Sequence, residues 1–125
     1  AAHIATYIDE RGEQLTGQHR YELRLDPTPP VGAFWSLTMY DVPNYYFVDN
    51  PIDRYSIGDR TPGLIFEPDG SLVLTISHDV PAETTARANW LPAPAAAFRP
   101  ILRMYEPEQP VLDRDYLVPA ITRVN

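Results

Sequence analysis

The sequence predicts an all-β fold, an antiparallel sandwich or barrel of short strands, from three observations. Fourteen prolines are scattered between Pro27 and Pro119. Each one inside a helix would remove a hydrogen bond and cost about 3 kcal/mol, which leaves little room for long helices. Several short segments alternate apolar and polar residues with a period of two, the pattern of half-buried strands. Turn signals separate those segments at the short spacing of antiparallel all-β architectures.

The elements follow in chain order. The stretch HIATYIDERGEQL (3–15) reads as a strand running into a turn at Gly12. HRYELRL (19–25) puts Tyr21, Leu23 and Leu25 on one face and Arg20, Glu22 and Arg24 on the other, the cleanest alternation in the chain. AFWSLTMYDV (33–42) is apolar on both faces, which predicts a central strand covered on both sides. GLIFEPDGSLVLTIS (63–77) reads as a hairpin of Leu64–Phe66, a Pro68-Asp69-Gly70 turn, and a strand with Leu72, Leu74 and Ile76 facing inward. NWLPAPAAAF (89–98) is expected to be a packed, extended segment anchored by Trp90 and Phe98. FRPILRMYEP (98–107) alternates again, and Pro100, unable to donate to a ladder, predicts an edge or a bulge. YLVPAITRV (116–124) carries a second such proline, Pro119.

At 125 residues the chain is expected to form a single domain, residues 1–125, with a sizeable core. The net charge of -7 repels phosphate backbones and anionic surfaces at long range, so neither nucleic acid nor membrane insertion is expected. With no cysteine, disulfides, zinc–thiolate sites and thiol nucleophiles are excluded. No window is apolar enough for a helical membrane span and no secretory signal opens the chain, so the protein is expected to be soluble, with its compartment unknown. All ten basic residues are arginines, whose planar forked donors suit carboxylates.

Long strings of the chain resemble the bacterial family known as domain of unknown function 1214. They are PPVGAFWSLTMYD (29–41), FVDNPIDRYSIGDRTPGL (47–64), DGSLVLTISHDVP (69–81), NWLPAPAAAF (89–98) and RMYEP (103–107), in that order. The chain departs from the family's usual strings at Ala96 and Ala97 and at Arg114, Asp115 and Tyr116. The resemblance implies a jelly-roll-like β-sandwich, usually the C-terminal half of two-domain proteins, and it brings no catalytic residue with it.

The densest polar stretch is VDNPIDRYSIGDRT (48–61). Asp49-Asn50-Pro51 is a turn signature, and Asp53 and Arg54 follow it. Arg54 and Arg60 either grip a carboxylate or sugar acid bidentately, or pair with Asp49, Asp53 and Asp59 to knit the loop. Nearby, Tyr45 and Tyr46 are adjacent, so at least one should face outward. Trp35 is expected in the core, and Trp90 as a cap on the sandwich or part of an aromatic platform. His78 beside Asp79 is the one suggestive histidine pair. Ser77, His78 and Asp79 cannot form a triad among themselves, because neighbouring strand residues point to opposite faces. His3, His19 and His78 lie far apart in sequence, so no metal and no cofactor is expected. The expected ligand site is therefore Asp49, Asn50, Asp53, Arg54, Arg60, Tyr45, Tyr46, Trp90 and His78. The reading is a binding or assembly module for a small polar or carbohydrate-like ligand, a partner domain or a second copy of itself. The alternative is a small enzyme on carbohydrate-like or carboxylate-bearing substrates, which requires a pocket with at least two ionisable groups of shifted titration.

Overall fold

The computed structural model describes every residue except Ala1, Tyr7, Pro43, Tyr45, Val48 and 114–117, along with all but the side chain of Ala2. Its strands are β1 (Ala2–Ala5), β2 (Tyr21–Leu25), β3 (Val31–Asp41), β4 (Ser56–Gly58), β5 (Leu72–Ser77), β6 (Trp90–Pro92), β7 (Phe98–Pro107) and β8 (Thr122–Arg123). Two short helices, α1 (Thr84–Ala88) and α2 (Gln109–Leu112), complete the described elements. The strands form two four-stranded sheets, ordered β1-β7-β3-β4 and β6-β5-β2-β8, packed against each other as an all-β sandwich. Among the described residues no helix is long and apolar enough to cross a membrane.

Period-two alternation sets the core. On the second sheet Tyr21 pairs with Ile76, Leu23 with Leu74 and Leu25 with Leu72, so all six side chains share the inward face. On the first sheet Trp35 pairs with Met104 and Leu37 with Leu102, and they meet the other set in one buried cluster. Each such side chain contributes roughly 1.5–3 kcal/mol on leaving water, which outweighs any local preference of the backbone. A one-residue slip of either sheet would turn its whole apolar set outward, so the register is strongly specified.

Four local expectations are corrected. The Pro68-Asp69-Gly70 turn forms, with Gly70 at φ 89° and its N–H donated to the Glu67 carbonyl, but Leu64–Phe66 is not a strand. Its backbone is held instead by the side chain of Asn89, which is buried. Pro100 lies in a central strand between β1 and β3, yet one residue beyond the end of the β1 ladder at Ile101. Its missing N–H therefore meets a local edge within an inner strand. The outer face of β3 is only half covered: Phe34 and Tyr40 are shielded by rings and arginines rather than by another layer. Finally, Pro119 lies in irregular backbone, and only Thr122 and Arg123 of that segment are in a strand, while Tyr116 and Leu117 lie outside the described residues.

All strand pairs are antiparallel except β5 with β6, which run parallel. Parallel neighbours need a crossover of about a dozen residues. The segment 78–89, with α1 inside it, provides that crossover, and it turns NWLP into the packed extended segment expected from its sequence.

Candidate functional site

The polar loop is a self-bonded connection. Asn50 organises it: Oδ1 accepts the N–H groups of Ile52 at 3.2 Å and Arg54 at 2.9 Å, and Nδ2 donates to the Arg54 carbonyl at 2.9 Å. That closure holds Asp53 at φ 51°, a left-handed conformation that aspartate tolerates better than most residues. Arg54 then reaches across the sandwich, donating from Nη1 to the carbonyls of Ala88 at 3.2 Å and Trp90 at 2.9 Å. Burial lowers the Arg54 pKa, and the carbonyls compensate part of the lost solvation. Asp59 accepts the Trp35 N–H at 3.2 Å. Arg60 lies over the Phe34 ring, 4.3 Å from its centre, and Phe34 stacks on Tyr105.

Ion pairs among the described residues join Arg11 to Glu10, Arg20 to Glu83, Arg24 to Asp69 and Arg123 to Glu13. The loop is thus knitted by arginine and asparagine bonds to backbone carbonyls and amides, not by acid–arginine pairs. Asp49 is exposed. Trp90 is fully buried and donates its indole N–H to the Ser77 carbonyl at 3.0 Å, so its ring offers no surface to a ligand. Tyr46 is 69% exposed and Tyr45 lies outside the described residues. Phe47, also exposed, stacks on Tyr40 at 5.6 Å and leans on Tyr55 at 5.4 Å, so the aromatic side chains of this region pack partly on one another.

Two of the three histidines are closer than their spacing suggests. His19 and His78 line one cleft of about 260 Å³, together with Arg20 and Glu83. His78 Nδ1 lies 2.9 Å from the Ala93 carbonyl, and because a carbonyl only accepts, that nitrogen carries the proton. Arg20 grips Glu83 with both Nη atoms, at 3.2 and 2.8 Å, which holds the Glu83 carboxyl below its ordinary pKa. Arg20 and Glu83 thus largely neutralise each other, while Asp79 lines the same cleft and Arg20 Nε is buried without a hydrogen-bond partner among the described residues.

A different cavity, of about 370 Å³, opens between the two sheets. Ile4, Leu37 and Leu102 line it from the first sheet, Leu23 from the second, and Val118 and Ile121 from the segment leading into β8. These are apolar walls, and Asp9 is the ionisable side chain among them. Asp9 is 5% exposed. Local sequence explains its position: in Asp9-Glu10-Arg11-Gly12 the chain turns back with Gly12 at φ 78°, and the Gly12 N–H is donated to the Asp9 carbonyl. Asp9 Oδ1 accepts the N–H groups of Arg11 at 2.8 Å and Glu13 at 3.1 Å, an aspartate-closed turn. Tertiary bonds then press the turn against the sandwich, Glu10 N–H to the Ile121 carbonyl at 3.1 Å and Arg123 N–H to Glu10 Oε2 at 2.9 Å.

The other carboxylate oxygen, Asp9 Oδ2, is buried with no hydrogen-bond partner among the described residues. Burial pushes the Asp9 pKa up, but the amides of Glu13 and Arg11 and the charges of Arg11 and Arg123 pull it down further, and the group is held below the ordinary aspartate value. It is a carboxylate at neutral pH. A buried acceptor left unsatisfied costs on the order of 1–3 kcal/mol, more when charged, so this atom is a place where a donor would gain. The turn at Gly12 was legible in the sequence, whereas its burial depends on Ile121 and Arg123 folding back from the far end of the chain.

Comparison with known proteins places the chain. Residues 1–109 match the family model described as Protein of unknown function (DUF1214), and the chain belongs to that family. The crystal structure of the VPA0106 protein from Vibrio parahaemolyticus is similar to it, with a TM-score of 0.86 and 30% sequence identity over 98% of this chain. This chain spans 30% of the length of that one. No curated protein sequence matches it significantly.

Proposed function

We propose that this member of the DUF1214 family is a binding module whose site is the cavity between the sheets, and that the bound molecule is small and mainly apolar. The observation that carries the reading is the combination of apolar walls with one buried, half-satisfied carboxylate. Binding sites for small molecules are commonly concave and apolar, with a few polar groups that fix orientation, and a volume of about 370 Å³ lies within their usual range. The polar loop 49–61 supports this choice indirectly, since Asn50, Arg54 and Asp59 are already engaged within the protein. An enzyme of the kind considered from sequence asks for two ionisable groups of shifted titration in one pocket, and the described lining of this cavity supplies Asp9.

Titrating the protein, labelled at its Ile, Leu and Val methyl groups, with cyclohexanol and toluene tests the reading by NMR. Chemical-shift changes concentrated at Ile4, Leu23, Leu37, Leu102 and Ile121 are expected. Changes concentrated instead around Ile52 and Ile57, beside the polar loop, would overturn it.

A further inference from the structure

The geometry points to the chemistry of the ligand: we propose that the molecule held between the sheets is an amphipathic amine, with a small hydrocarbon body in the cavity and an ammonium group on Asp9 Oδ2. The inference rests on the cavity being the site and adds what the site selects.

Two observations carry it. First, among the described residues Oδ2 is a buried carboxylate oxygen without a partner, while its twin Oδ1 takes two backbone N–H groups. The protein has satisfied the atom that closes its turn and left the other for a donor. A hydroxyl would satisfy it, but an ammonium also neutralises the charge, and charge-assisted hydrogen bonds are about twice as strong as neutral ones.

Second, the groups around the turn carry a net negative charge, Asp9, Glu10 and Glu13 against Arg11 and Arg123. Among the described residues, Arg11 lies 3.6 Å from Glu10 and Arg123 lies 3.6 Å from Glu13. Both arginines also act on Asp9 and help to lower its pKa, yet two cations shared among three carboxylates leave one negative charge over. The whole chain, at -7, adds a field of the same sign. A cation is drawn to such a site, and an anion of equal size is repelled. The walls set the other half of the molecule: strands of both sheets and residues 118–121 bound a cavity of about 370 Å³ with mostly apolar side chains, which take a small hydrocarbon body.

The test compares three probes of one shape, cyclohexylmethylamine, cyclohexylmethanol and cyclohexanecarboxylate, titrated at pH 7 against the methyl-labelled protein and its Asp9→Asn variant. The variant keeps an oxygen for the turn and replaces Oδ2 by an N–H₂ group. In the native protein the amine is expected to bind at least about tenfold more tightly than the carboxylate, the factor that a single charge-assisted hydrogen bond supplies. In Asp9→Asn that preference should vanish while the alcohol changes little. Equal binding of all three probes by the native protein would overturn the ammonium assignment and leave the cavity as the site. If none of the three moves the methyls of Ile4, Leu23, Leu37 or Leu102, the cavity reading falls with it. The native ratio of amine to carboxylate decides the matter even if the variant fails to fold.

Discussion

The side chain of Asn89 is hydrogen-bonded to both backbone groups of Ile65, accepting its N–H at 2.9 Å and donating to its carbonyl at 2.7 Å. A third bond, from Nδ2 to the Val73 carbonyl at 3.1 Å, ties the same amide to β5. One buried side chain therefore does for the 64–66 segment what a neighbouring strand would do. Replacing it by Ala removes all three bonds, and because Ile65 is partly exposed, water recovers some of them. We expect Asn89→Ala to destabilise the fold by about 2–4 kcal/mol, measured by urea unfolding. A loss below the error of that experiment would show that the 64–66 segment is held by other means.

Arg54 and Arg60 should separate cleanly. Arg54→Ala leaves the Ala88 and Trp90 carbonyls without their donor, and should cost roughly 1.5–3 kcal/mol, the range of hydrogen bonds to charged groups. Arg60 is exposed and rests on the Phe34 ring, so Arg60→Ala should cost no more than about 1 kcal/mol. Thermal melts of the two single variants and the double variant check this. Equal losses from both would mean that Arg60 takes part in bonding the structure does not contain.

Gly17 is a close-approach glycine. A Cβ built there would collide with the Pro94 carbonyl, a backbone atom that cannot swing aside, at the point where Gly17 N–H donates to the Ala96 carbonyl. Overpacking of this kind usually costs about 1–3 kcal/mol, and more when backbone must move. Gly17→Ala should therefore sit at or above the top of that range, whereas Gly12→Ala meets no atom within 4 Å and carries only the strain of φ 78°. Comparing the two unfolding free energies checks the prediction, and a milder effect at Gly17 would contradict the packing of residues 14–18 against 94–98.

Acid should weaken the fold through three carboxyls. The bonds from Ser71 lower the pKa of Asp69, Arg20 lowers that of Glu83, and at Asp9 the amide bonds and arginines outweigh the opposing effect of burial. A carboxyl with a depressed folded-state pKa stabilises the fold above its unfolded-state value, and that contribution is lost as pH falls through the folded-state value. Stability should thus be level from neutral pH down to the ordinary values of 4.5 for Glu and 3.8 for Asp, and then decline. Melting temperatures across a pH series measure it, and Glu83→Gln should make the decline shallower. A decline that begins between pH 6 and 7 would point to histidine instead.

The sandwich was legible where burial and alternation coincide, as in Tyr21, Leu23 and Leu25 facing Leu72, Leu74 and Ile76. These positions depend only on a local period and on the water each side chain leaves. The 64–66 segment was misjudged because its backbone partner is a side chain distant in sequence, Asn89, which no local pattern announces. Within the polar loop, the Asn50 turn was readable from Asp49-Asn50-Pro51, but the partners of Arg54 are carbonyls on β6 and just before it, so charge counting pointed to acids that it does not use. The candidate site lay beyond the sequence for the same reason. Gly12 marks the turn, whereas the apolar surroundings of Asp9 come from Leu23, Leu37, Leu102 and Ile121, brought together only by the closing of the sandwich.

The central claim is that the Asp9 carboxylate receives a ligand between the sheets, and crystals soaked with cyclohexylmethylamine test it most directly. The predicted result is electron density for the ring against Leu23, Leu37 and Leu102, with the nitrogen about 2.8 Å from Asp9 Oδ2. An empty cavity beside amine density elsewhere on the protein, or a protein side chain already bonded to Oδ2, would contradict it.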